Sequence, residues 1–229
     1  MRPDLIIFDC DGVLVDSEII AARVEADMIT DAGFPITAEE MMEHFAGLTT
    51  RDVLLRLETV SQVPFQASLI DRIKVELDKR LSRDVKPIDG AATAIRGTTI
   101  PYCICSNSPL ERIEAMLGRA GLLGLFDKQR IYSAREIPSK RTKPAPDVFL
   151  YGAARLSVDP AKCFVVEDSV HGIAGAKAAG MRVIGFTGGS HTWPGHADAL
   201  TEAGAETVIS RWSDFAAVVA ALSEWSDAS

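Results

Sequence analysis

Long apolar runs are missing from this sequence. No uncharged stretch approaches the ~18 residues that a membrane-spanning helix needs. Ahead of Asp9 stands only the short run LIIF, without the basic start and longer apolar core of a signal peptide. A basic excess is missing too, since 24 Lys plus Arg stand against 32 Asp plus Glu, for a net charge of -8. That balance excludes broad electrostatic attachment to nucleic acid or anionic lipid, although a small anion can still find a local positive site. Cysteine is scarce, and Cys10, Cys103, Cys105 and Cys163 each sit inside an apolar run with no CxxC pair. Buried, reduced thiols are expected rather than zinc or dithiol chemistry. The expectation is a soluble, cytoplasmic protein with no nucleic-acid or membrane partner.

Hydrophobic residues make up 47% of the 229, enough to pack one large domain or two modest ones. Short apolar runs at 4–10, 99–106, 162–168, 182–187 and 206–209 read as buried parallel strands, with helical patterns between most of them. This alternation predicts an α/β protein with a Rossmann-like, doubly wound parallel sheet covered on both faces. Residues 11–98 separate the first two strands, where a crossover needs only about a dozen residues. The excess reads as helices at 17–32, 38–46, 50–61 and 65–82, the second opened by a Thr37–Glu40 capping box. An all-α cap of four helices, residues 16–85, is therefore expected as an insert in a core made of 1–15 and 86–229. Its hinges fall near 14–17 and 85–90, where Pro87 and Gly90 break helix. A last helix over 212–224 reads as core packing.

Ligands of open α/β sheets bind outside the carboxyl ends of the strands, so the polar residues closing each strand form the candidate site. Those residues are Asp9 and Asp11, Ser106 and Asn107, and Glu167 and Asp168. In extended geometry Asp9 and Asp11 leave the same face and repel unless a cation intervenes. With Asp168 they offer the all-oxygen surroundings suited to Mg²⁺. An EF-hand starting at Asp9 fails, because Val13 and Leu14 stand where that loop needs a ligand and glycine. Ser108, Pro109 and Glu111 read as a helix start whose backbone N–H groups make an anion site beside Ser106. Lys140, Arg141 and Lys143 follow in one loop, and Pro144 and Pro146 stiffen the backbone next to Lys143, as a fixed charge on a phosphate requires.

Taken in order, DCDGVLVDSE at 9–18, SNS at 106–108, KPAPDVF at 143–149 and VVEDSVHGIAGAKAAGM at 165–181 resemble the motifs of the haloacid dehalogenase superfamily. The likeness is to the helical-cap branch near β-phosphoglucomutase and the sugar phosphatases. It implies that Asp9 is the nucleophile of an aspartyl-phosphate intermediate, and that Asp11 is the general acid and then base, with its carbonyl on the metal. Asp9, Asp11 and Asp168 would hold Mg²⁺, Glu167 would orient metal waters or Lys143, and Ser106, Asn107 and Lys143 would hold the phosphoryl oxygens. Glu18, Gly47 and Arg51 are the cap residues expected to touch substrate. The implied activity is hydrolysis of a small phosphorylated metabolite, a sugar or sugar-acid phosphate such as 6-phosphogluconate.

The carboxylate at Asp11 argues against dehalogenation, and Thr50 stands where phosphonatases place a Schiff-base lysine. Ala21 stands where the mutase places a cap histidine, which favours hydrolysis over the alternative of a β-phosphoglucomutase-type phosphotransferase. A phospho-receiver or a noncatalytic phosphate-binding protein fits less well, since a receiver has neither the DxD spacing nor the insert. His171, His191 and His196 read as helix-surface or loop residues rather than ligands.

Overall fold

The computed structural model describes residues 2–45, 48–61 and 68–225. Six strands form one sheet: β1 (Leu5–Phe8), β2 (Tyr102–Ser106), β3 (Ile131–Ser133), β4 (Cys163–Glu167), β5 (Arg182–Phe186) and β6 (Thr207–Ile209). Their order is β3-β2-β1-β4-β5-β6 and every neighbouring pair is parallel. The chain runs outward from β1 to β3, then returns to lay β4 on the other side of β1. A crevice opens where the winding direction reverses, outside the carboxyl ends of β1 and β4.

Side-chain alternation explains why the sheet is covered twice. Ile6 and Phe8 point into one apolar layer with Ile104, Phe164, Val166 and Phe186, closed by the helices α5 (Ala91–Gly97), α6 (Leu110–Arg119) and α10 (Phe215–Trp225). Leu5 and Ile7 point into the other with Val165 and Val183, closed by α7 (Asp147–Arg155), α8 (Val170–Ala178) and α9 (His196–Glu202). All four cysteines are free and buried, as expected, with Cys103, Cys105 and Cys163 sharing the second layer.

Between β1 and α5 lie α1 (Glu18–Asp31), α2 (Ala38–Phe45), α3 (Thr50–Ser61) and α4 (Ser68–Asp84). They share a third apolar cluster, to which α1 gives Ala22, Ala26 and Ile29 from one helical stripe. The stripe of α4 is split: Leu69 and Ile73 enter that cluster, whereas Leu77 and Leu81 enter the sheet layer below. Arg112 on α6 pairs with Asp78 on α4 at 2.6 Å and adds a polar tie between the two. The capping box forms as expected, with Glu40 N–H donating to Thr37 Oγ1 and Thr37 N–H to Glu40 Oε2.

The two passages of chain that lead into and out of the helices lie side by side. Val15 bridges Pro87, Asp16 N–H donates to the Lys86 carbonyl at 2.9 Å, and Ile88 N–H donates to the Leu14 carbonyl at 2.9 Å. Two local expectations fail. β3 has no counterpart among the apolar runs: it offers only Ile131 and Tyr132 as apolar residues, directly after Arg130. The start of α6 has no capping box: Pro109 precedes its first residue, and the Leu110 N–H is instead taken by Glu136 at 2.8 Å. An open anion site at that N–H is thereby excluded.

Candidate active site

Asp9 follows β1 directly, its N–H bonded to the Val166 carbonyl of β4, so the nucleophile candidate is fixed to the two central strands. Gly12 then turns the chain at φ 68°, and a side chain there is impossible twice over. Its Cβ would meet Asp168 Oδ2 at 1.9 Å and lie in the left-handed region that favours glycine.

The two aspartates meet different surroundings. Asp9 is buried and Lys143 Nζ donates to its Oδ1 at 2.5 Å, leaving Oδ2 without a donor among the described residues. Asp11 is half-buried and meets only hydroxyls: Ser17 donates to Oδ1 at 2.9 Å, and Ser106 and Ser108 to Oδ2 at 3.1 and 2.9 Å. Ser108 had read as a helix cap, and neither it nor Ser17 was expected at the site. Burial and the nearby charges of Glu167, Asp168 and Asp11 push the Asp9 carboxyl well above its usual range, against the pull of Lys143.

Lys143 is the one buried cation of its loop, since Lys140 and Arg141 are exposed. Its ammonium also donates to Glu167 Oε1 at 2.6 Å, and Phe149 lies 5.0 Å beneath it. Burial works against its charge, but Asp9 and Glu167 outweigh burial and hold its pKa above the ordinary lysine value. Asn107 Oδ1 accepts the Lys143 backbone N–H at 2.8 Å, so this side chain clamps the lysine loop. Glu167 Oε2 is bonded by the Ser169 N–H and hydroxyl, and both of its oxygens are thus held by protein donors.

Carboxylate oxygens of Asp9, Glu167 and Asp168 lie within 4.8 Å of one another, all buried. Asp168 is bracketed by two histidines. His191 Nε2 lies 2.9 Å from its Oδ2, and His196 Nε2 donates to its backbone carbonyl at 2.8 Å. Both imidazoles are buried at the site, which corrects a surface reading of these residues, although His191 does lie in a loop; His171 is half-buried on α8.

Of the cap candidates, Glu18 opens α1 and is half-buried. Burial, then the charges of Asp11 and Asp168, push its pKa up to about 8 despite the opposing pull of His191. Arg51 is exposed on the first turn of α3, without an ion pair among the described residues, and Gly47 lies outside the described residues. Thr50 donates to Glu25 at 2.5 Å.

A family model described as haloacid dehalogenase-like hydrolase matches residues 6–186. The chain belongs to that family. It is 28% identical over 194 residues to the 6-phosphogluconate phosphatase of Escherichia coli, covering 84% of this chain and 86% of that one. With hexitol phosphatase B of Escherichia coli it shares 31% over 191 residues, covering 78% and 81%. Among solved structures, a haloacid dehalogenase-like protein of unknown function from Agrobacterium tumefaciens superimposes with a TM-score of 0.92 at 59% identity, over 96% of this chain and 99% of that one. As a haloacid dehalogenase-like hydrolase with such relatives, the protein is a phosphatase by class. Among the described residues, no helix is long and apolar enough to cross a membrane.

Proposed function

We propose that this haloacid dehalogenase-like hydrolase is a Mg²⁺-dependent phosphatase acting on a small phosphorylated sugar or sugar acid, of which 6-phosphogluconate is representative. The observation that carries the reading is the unequal treatment of the two aspartates. A buried lysine faces Asp9, as approach of an anionic ester requires, and a cluster of hydroxyls holds Asp11 where a proton carrier is needed.

The donor set fits a hard divalent cation. It is buried and all-oxygen, and beside it Glu167 already has both oxygens occupied, so Asp9 and Asp168 are the side chains left to ligate, joined by the Asp11 carbonyl. Mg²⁺ bound there would offset carboxylate repulsion and the charge of the transferring phosphoryl group. A carboxylate oxygen of Asp9 attacks phosphorus as the bond to the ester oxygen breaks, and Asp11 gives its proton to the leaving alkoxide. Water then attacks the aspartyl-phosphate, Asp11 takes up its proton, and inorganic phosphate leaves with Asp9 restored. Lys143 and Ser106 hold the phosphoryl oxygens. Residues 16–85 act as the cap, with Glu18 facing the substrate and closure excluding bulk water.

The test is phosphate release from a panel of sugar and sugar-acid phosphates, with Mg²⁺ and with chelator. Release that depends on Mg²⁺ and prefers one sugar class is expected, with Asp9→Asn reducing it at least ~10³-fold, in line with loss of a covalent nucleophile. Near-normal turnover by Asp9→Asn sinks the mechanism. Isomerisation without net phosphate release makes the protein a mutase, despite Ala21.

A further inference from the structure

The nine residues between β5 and α9, TGGSHTWPG at 187–195, and His196, the first residue of α9, lie outside every motif that carried the functional reading, yet they reach its centre. We infer that His191 is a positioning residue for Asp168, and that its loop holds it in place by anchoring on the cap hinge at Asp16. The inference rests on the phosphatase reading only in taking Asp168 for a metal ligand.

Three independent features fix the imidazole. Its Nε2 is 2.9 Å from Asp168 Oδ2, and the two side chains are 8% and 7% exposed, so water does not compete for the contact. The Cε1 edge of the ring lies against two glycines: a Cβ on Gly189 would meet it at 2.6 Å and a Cβ on Gly12 at 2.8 Å. One residue before it, Ser190 donates twice to Asp16, from its N–H to Oδ1 at 2.9 Å and from its hydroxyl to Oδ2. Asp16 is also the residue whose N–H bonds Lys86, so the anchor is the point where both passages of the helical insert meet.

The far end of the loop is secured on the same target. His196 donates to the Asp168 carbonyl, and Trp193 stacks on His196 with ring centroids 3.8 Å apart and planes 15° from parallel. A loop serving stability alone has no need to set an imidazole against a buried carboxylate. With Oδ2 occupied by His191, the Asp168 carboxylate cannot rotate freely, and Oδ1 is left without a donor among the described residues. Hydrogen bonds of this kind to ligating groups orient them and commonly change metal affinity 10- to 100-fold when removed. Through Ser190 the orientation of Asp168 is tied to the hinge at Asp16.

The experiment compares wild type, His191→Ala, His191→Asn, His191→Gln and Ser190→Ala. Binding of Mn²⁺ is read from loss of the free-ion electron paramagnetic resonance signal, and phosphate release from the sugar-phosphate panel is measured in parallel. His191→Ala and His191→Asn, neither of which places an N–H at the reach of Nε2, are expected to weaken Mn²⁺ binding roughly 10- to 100-fold. His191→Gln restores an N–H at that reach and is expected to recover most of the loss, and Ser190→Ala to show a smaller one. At saturating Mg²⁺ the KM for the ester should stay near the wild-type value in each variant that is active. Unchanged or tighter Mn²⁺ binding in His191→Ala and His191→Asn overturns the inference, as does His191→Gln failing to recover or wild type binding no Mn²⁺. If one of the two shorter variants fails to fold, the other carries the comparison. Wild-type protein that binds Mn²⁺ but releases no phosphate from the panel sinks the phosphatase reading alone.

Discussion

Asp9 and Asp11 are two residues apart, yet one faces an ammonium and the other three hydroxyls. Their presence at the site was legible, because strand ends are where a doubly wound sheet gathers its polar residues, and so was that of Lys143 and Asp168. Ser17 and Ser108 were not, since a hydroxyl beside a helix start looks like a cap until the acceptor across the fold is known. His191 had no signal at all: it lies in an aperiodic loop, and its partner is 23 residues away in the chain. The cysteines allow a prediction at this scale. Burial raises the thiol pKa of Cys10 and Cys103 well above the usual value and that of Cys163 to about 12. Almost no thiolate is present at neutral pH. Dithionitrobenzoate should therefore leave the native protein unlabelled over minutes and titrate four thiols in denaturant; rapid labelling of the native state would show that these side chains are accessible.

At the scale of elements, α2 is held at its start by Thr37 and Glu40 bonding one another's backbone N–H groups. Thr37→Ala removes one half of that exchange and is expected to lower Tm by about 2–4 °C for a chain of this size. The hydrogen bonds from the Thr37 backbone, then from its side chain, lower the Glu40 pKa. A carboxylate with a lowered folded pKa stabilises above its unfolded pKa and loses that contribution as pH falls through the folded value. The Tm deficit of Glu40→Gln should thus shrink as pH falls below the ordinary glutamate value of ~4.3, where the unfolded chain takes up the proton before the folded one does; a deficit constant from pH 7 to pH 3 would show that the charge does nothing there. The same capping pattern was read at Ser108–Glu111, where it fails. Pattern alone cannot tell which acceptor a serine prefers, and here Asp11 competes for the hydroxyl while Glu136 takes the helix N–H. Strand interiors were legible because both faces of the sheet are buried; β3, with only Ile131 and Tyr132 apolar, was missed, whereas β6, equally short and at the other edge, was read.

Across the whole molecule, apolar burial is divided among two sheet layers and the separate helical cluster, with α4 shared between the helical cluster and one layer. Phe8 stands at the centre, in the middle of the sheet and surrounded by Tyr102, Trp212 and Phe215 at ring centroid distances of 6.1, 5.7 and 5.9 Å. Phe8→Ala should cost about 3–5 kcal/mol in global unfolding. Ile73→Ala removes as secluded a side chain, but from the helical cluster, and should cost about 2–5 kcal/mol. The distinguishing readout is amide hydrogen exchange. Faster exchange confined to α1–α4 is expected for Ile73→Ala, whereas Phe8→Ala should lower protection throughout. Uniform loss in both variants would show that the helices have no opening of their own.

The paired passages at Val15 and Pro87 bring the two chain connections of the helical segment to one place, while Leu77 and Leu81 of α4 pack it onto the sheet layer. Because its two ends enter side by side, descendants of this gene can lengthen, shorten or replace the helices between them while the register of the sheet stays fixed, so long as the apolar contact of Leu77 and Leu81 with the sheet layer is kept. New chemistry of recognition can then be acquired by graft, and the machinery that breaks the bond is inherited whole.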